Sequence, residues 1–172
     1  MSGPSAGRDA GDALLGVYDS ALPYVYGYLV KRVGTEAIAE DLTSVTFVAA
    51  VDTIGRGAIE EPTVAWLLGI ARHKLADHWR RQARDTRRFH AVADLTEHLH
   101  DPWIAQLDAE HAHFVLAQLG AHHRSALTFR YLDGLPVPEV ATLLGRSVHA
   151  TEALLARARR AFRVAYEGGR DD

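Results

Sequence analysis

The chain has 172 residues, 48% of them hydrophobic, no cysteine and a formal net charge of −3 at pH 7. That length suits one ordinary domain or two small ones. The missing cysteines exclude disulfides and thiolate metal sites, and no apolar run approaches the roughly 18 residues of a membrane span.

A net charge of −3 argues against a nucleic-acid binder, but its distribution argues for one. Residues 1–69 carry four Lys/Arg against nine Asp/Glu, and residues 70–90 carry seven against two. Residues 91–145 carry two against seven, and residues 146–170 carry six against two. Salt screens charge beyond about 10 Å, so a phosphate responds to the local block and not to the total.

The opening MSGPSAGRDAGD has no charged region followed by an apolar block, so no signal peptide is expected there; residues 1–11 read as a mobile tail. From residue 12 to 33, Leu14, Leu15, Tyr18, Leu22, Val25, Tyr26, Leu29 and Val33 form a helical stripe that Pro23 should kink or divide. GTEAIAEDL restarts a helix with Thr35 as its cap, running to about Ile54. The next helix has Pro62 near its first turn, and Trp66, Leu67, Ile70, Ala71, Leu75 and Trp79 hold one face until the arginines take over. Residues 91–102 lose both the pattern and the positive charge and read as a linker. A helix then fits 103–119, GAHHR reads as a turn, and RSALTFRYLDG as a helix closed by Gly134. No strand-like alternation or repeat stands out. The fold expected is all-α: two small helical domains, 12–90 and 103–167, with a short tail at 168–172.

LPVPEVATLLGRSVHATEALLARARRAFR, residues 135–163, reads as two helices around a tight turn. Val140, Leu143 and Leu144 give the first its apolar side. Gly145 accepts a left-handed backbone, Ser147 can cap the second helix, and Val148, Leu154 or Leu155, Ala158 and Phe162 recur at helical spacing. This is the pattern of a helix–turn–helix, whose second helix enters the major groove. Arg157, Arg159, Arg160 and Arg163 fit phosphates beside such a groove, whereas a plain helical hairpin would not require them.

The stretch from Leu127 to Phe162 resembles region four of the extracytoplasmic-function (ECF) sigma factors of bacterial RNA polymerase. Arg130, Tyr131, Gly134, Leu135, Glu139, Val140, Ala141, Leu144, Gly145, Ser147, Arg157, Ala158 and Arg159 carry the likeness. The same unit also occurs in response-regulator output domains. AEDLTSVTFVAA (39–50) and AWLLGIARHKLADHWRR (65–81) resemble region two of the sigma family, which an output domain would lack.

The resemblance implies that the first domain grips the clamp of core polymerase, through Glu40, Asp41, Leu42, Ser44, Val45 and Phe47, and helps to open the promoter near its minus-10 element. Arg72, Lys74, Arg80, Arg81 and Arg84 would supply charge to the separated strand. His73, in the family's Asn position, would lie beside an extruded base, with His78 and Trp79 on the same helix. An aromatic stripe is more often core, so Trp79 has that reading too; Asp77 is expected to hold neighbouring arginines. The second domain would bind the polymerase flap and the minus-35 duplex through Arg146, Ser147, His149, Thr151, Glu152, Ala153, Ala156, Arg157 and Arg160. The implied protein is a cytoplasmic, nucleoid-associated initiation factor. Its partners would be core polymerase, promoter DNA and an anti-sigma protein, with no cofactor and no membrane insertion. A regulator or sigma mimic that binds DNA without starting transcription is the other reading.

Two positions depart from the family. Ser44 and Val45 stand where a Gln–acid pair is common; Val45, three residues after Leu42, could instead widen the buried face. Thr151, Glu152, Ala153 and Leu154 replace a Val-Lys-Ser-Arg run. A carboxylate at Glu152 can accept from cytosine N4, pair with an arginine or face solvent, or belong to a helix that binds protein. An enzyme is not indicated: no catalytic triad, phosphate-binding glycine loop or H-E-x-x-H occurs. Glu110, His111 and His113 could hold zinc, but no second ligand set accompanies them, so no metal is expected.

Overall fold

The computed structural model describes residues 5–59, 61–86 and 107–169. The linker expected at 91–102 and the helix start expected at Trp103 lie outside the described residues. Every regular element among them is helical: α1 Ser5–Val33, α2 Glu36–Gly55, α3 Val64–Thr86, α4 Ala109–Gln118, α5 Ala121–Leu127, α6 Val137–Leu144 and α7 Val148–Gly168, with a π-helical turn at Thr128–Leu132 between α5 and α6. The chain divides into two compact units, Met1–Leu75 and Ala76–Asp172, the boundary falling within α3.

In the first unit, the left-handed Gly34 (φ 70°) turns α1 back along α2. Leu14, Ala21, Val25 and Leu29 are buried on α1; Ala39, Leu42, Phe47, Ala50 and Ile54 are buried on α2. Tyr18 tilts its ring over Phe47 at 4.7 Å. Two threonines share the buried face of α2 without stranding a polar group, because Thr43 Oγ1 donates to the Ala39 carbonyl and Thr46 Oγ1 to that of Leu42, each at 2.7 Å. Leu67, Ala71 and Leu75 are the buried positions of the first part of α3.

Three local expectations change here. Pro23 does not divide α1, which is helical from Ser5 to Val33 and so includes most of the expected tail. Pro23 and Asp19 are both exposed, so the helical bond that proline cannot make leaves no polar group inside the core. Thr35 has the extended backbone of a cap, but its side chain makes no cap bond. At α3, Thr63 Oγ1 accepts from Trp66 N at 3.2 Å, so capping falls to Thr63, with Pro62 just before it.

In the second unit, Asp108 caps α4 by accepting from His111 N at 2.8 Å. GAHHR is not a simple turn: α5 begins at Ala121. Arg124 reaches back to the end of α4, donating from Nε to the Leu116 carbonyl at 3.2 Å and from Nη2 to the Ala117 and Leu119 carbonyls. It thereby satisfies carbonyls that a helix end leaves without partners. The predicted helix through Arg130 is interrupted by the π turn, after which Gly134 (φ 68°) redirects the chain into α6. Phe129, Val140, Leu155 and Ala158 are among the most enclosed apolar side chains of this unit.

Candidate nucleic-acid interface

The α6–α7 pair is built as the residues require. Val140, Leu143 and Leu144 are buried, and Gly145 ends α6 in the left-handed region (φ 63°, ψ 42°). Ser147 is extended (φ −70°, ψ 157°), and its hydroxyl accepts from Ala150 N at 3.2 Å, closing the first turn of α7. Leu154 and Leu155 are both buried, followed by Ala158, Phe162 and Tyr166. Val148, expected inside, is exposed.

That buried row sorts the predicted contact residues of α7. His149, Glu152 and Arg160 are exposed, and Ala153, Ala156 and Arg157 are half-buried. Thr151 is a correction: it is fully buried, and its hydroxyl donates to the Ser147 carbonyl at 2.9 Å, so its side chain has no path to a base edge. Glu152 faces outward, next to the small Ala153 and one turn before Ala156, which leave the groove side of the helix uncrowded. Arg159 is turned aside, its Nη1 donating to the Tyr131 hydroxyl at 3.2 Å, while Arg160 and Arg163 are exposed. Arg157 lies near enough to His123 for its charge to add to burial, the larger cause, in holding that imidazole below its ordinary value. Ahead of α7, Arg146 is half-buried and its Nη2 meets His122 Nδ1 at 3.4 Å.

On α3, His73, Asp77, Arg80, Arg81 and Arg84 recur at three- and four-residue spacing and share a face. His73, Arg81 and Arg84 are exposed; Arg72, Lys74, His78 and Arg80 are half-buried. Asp77 Oδ1 accepts from Arg80 Nη2, the role expected of that carboxylate. His78 is held below its ordinary value, first by burial and then by the charges of Arg81 and Arg124. Trp79 is a second correction. It is 1% exposed within the second unit, its ring edge against Phe129 at 5.5 Å, so it is enclosed and not presented to a base.

On α2, Glu40, Asp41, Ser44 and Val45 are exposed. Leu42 and Phe47 are not; they belong to the α1–α2 core and orient the helix. Val45 does not widen the buried face, being 44% exposed. Sequence reasoning missed its continuation: Val48 is 61% and Val51 57% exposed, so three valines at three-residue spacing run along the outer side of α2. The available signal was that these positions fall opposite Ala39, Thr46 and Ala50.

An all-helical chain with a basic helix in its middle and a capped helix–turn–helix near its end belongs to the class of helical DNA-binding transcription proteins. A family model described as Sigma-70 region 2 matches residues 17–85, and one described as Sigma-70, region 4 matches residues 112–162. The chain is 32% identical over 165 residues to the ECF RNA polymerase sigma factor SigF of Caulobacter vibrioides, covering 94% of this chain and 87% of that protein. It is 33% identical over 130 residues to the ECF sigma factor SigC of Mycobacterium tuberculosis, covering 72% and 68%. It is 32% identical over 152 residues to BldN of Streptomyces coelicolor, covering 86% of this chain and 58% of BldN's length. The fold is similar to that of RpoE from Bartonella quintana, solved with the anti-sigma factor NepR (TM-score 0.53, 21% identity, 93% and 98% coverage). It is also similar to CnrH, solved with the cytosolic domain of CnrY (TM-score 0.51, 23% identity, 96% and 99% coverage). The chain belongs to the ECF family of RNA polymerase sigma factors.

Proposed function

We propose that this chain directs core RNA polymerase to a set of promoters and assists their opening, as a non-catalytic initiation factor in the cytoplasm and on the nucleoid. The observation that carries the reading is the capped α6–α7 helix–turn–helix, with its outward Glu152, Arg157 and Arg160, in one chain with a sigma region 2. Each basic element is small. Phosphate contacts give only a salt-sensitive, sequence-independent affinity, so tight and specific placement requires both elements on one polymerase.

In this reading α7 enters the major groove of the upstream element. Arg146, Arg157 and Arg160 bind backbone phosphates, and Glu152 accepts from a cytosine amino group. His73, Arg80, Arg81 and Arg84 face the separated strand at the downstream element. Core polymerase docks on α2, against Glu40, Asp41, Ser44 and Val45, with Val48 and Val51 extending the contact. A protein of the anti-sigma class is a further proposed partner, supported by the company in which the RpoE and CnrH structures were solved.

The test is reconstitution. Purified protein is added to core polymerase and a promoter fragment carrying a pre-melted bubble, and RNA synthesis is measured alongside DNA retardation. Initiation dependent on the added chain is the expected result. Retardation without RNA would establish the DNA-binding regulator instead, a reading that the region 2 match disfavours.

A further inference from the structure

We propose that His122, at the start of α5, is a positioning residue for DNA recognition, its Nδ1 holding the Arg146 guanidinium ready for a phosphate at the entry to α7. The inference rests on the reading of α6–α7 as a duplex-binding unit. It goes beyond that reading by assigning a role to a residue outside the helix–turn–helix.

Arg146 occupies the turn between Gly145 and the cap Ser147. Its backbone N–H donates to the Ala141 carbonyl at 2.9 Å, so its Cα is fixed by the turn. It therefore stands at the N-terminal end of the recognition helix. There free backbone N–H groups and the helix dipole already favour an anion. A guanidinium at this point adds a charge and a planar fork of donors suited to phosphate oxygens. Its weakness is freedom: an arginine side chain gives up roughly 2 kcal/mol of rotamer entropy when it is ordered.

The His122 contact acts on that cost. A guanidinium can only donate, so in the Arg146 Nη2–His122 Nδ1 contact at 3.4 Å the imidazole must accept. The ring is then neutral, with its proton on Nε2. His122 is half-buried, and its backbone carbonyl accepts from Ser125 Oγ at 3.0 Å, so the acceptor is anchored to a formed helix. One N–H of Arg146 is used to fix the plane of the group, and the rest of the fork remains for a ligand. Ordering is completed before DNA arrives, which raises affinity without any contact between His122 and DNA.

The experiment uses full-length protein assembled with core polymerase, on a promoter duplex selected from a random pool by the wild-type holoenzyme. His122→Leu removes the acceptor at similar volume, and His122→Asn keeps an acceptor near the place of Nδ1. His122→Leu should weaken promoter binding about fivefold, and His122→Asn should restore most of it. In an Arg146→Ala background neither substitution should have a further effect, which is the signature of action through Arg146. Thermal unfolding of each variant separates this from lost folding, since a merely structural role would not be rescued by Asn alone or silenced by Arg146→Ala. Equal affinity of the Leu and wild-type proteins, or an undiminished effect of Leu in the Arg146→Ala background, would overturn the proposal while leaving the duplex reading intact. If Arg146→Ala and Arg157→Ala both leave affinity and salt dependence unchanged, the duplex reading fails and this inference fails with it.

Discussion

On α7, adjacent residues meet opposite surroundings. Glu152 is exposed, whereas Thr151 is enclosed and bonded to the carbonyl of Ser147. Glu152→Gln exchanges an acceptor-only group for one that also donates. It should relax discrimination at one base pair of the upstream element by about tenfold, measured by competition between point-substituted duplexes. Thr151→Val keeps the volume and loses the hydroxyl. It should lower stability by about 1 kcal/mol in urea titration and leave base preference unchanged. Arg157→Ala should weaken binding to all duplexes alike and reduce the slope of log affinity against log salt by about 1. An unchanged slope would remove Arg157 from the phosphate contacts.

The elements show what periodicity can and cannot carry. The α6–α7 pair was legible almost residue by residue, because a left-handed glycine, a serine cap and an apolar spacing of three and four are local signals. Ser147→Ala should accordingly cost about 1 kcal/mol, read as a lower unfolding midpoint. The start of α5 was not legible. Gly120 followed by two histidines looks like a turn, and the helix there is secured by Arg124 reaching the carbonyls of the preceding helix, a contact no local window contains. The enclosure of Thr151 and Trp79 was hidden for a similar reason: a residue type reports what a side chain can do, while burial depends on neighbours distant in sequence. The outer valines of α2 were passed over because apolar residues on a helix are ordinarily assigned inward. Val48→Glu should therefore leave folding intact, since Val48 is 61% exposed. It should reduce the protein captured on immobilised core polymerase; undiminished capture would take α2's outer side out of the docking surface.

For the whole chain, alternating acidic and basic blocks matter more than the total of −3. Two imidazoles, His78 and His123, lie below their ordinary value of 6.5 in the folded protein, chiefly through burial and then through neighbouring arginines. As pH falls past 6.5 the unfolded chain takes up these protons first, so stability should decline from there toward the lowered folded values and stay level above. The urea midpoint followed from neutral to mildly acidic pH checks this. His123→Gln should flatten part of the decline, and a midpoint that rises on acidification would contradict the assignment.

The π turn at Thr128–Leu132 has a consequence for anyone splicing this protein with its relatives. Such a turn holds one residue more per hydrogen-bonded ring than an α-helix. Each residue of an α-helix advances the azimuth by about 100°. A chimaera shortened by a single position between Ser125 and Gly134 would keep every motif recognisable on paper, yet swing the reading helix away from the groove. Length in that interval, rather than composition, is what a working hybrid has to preserve.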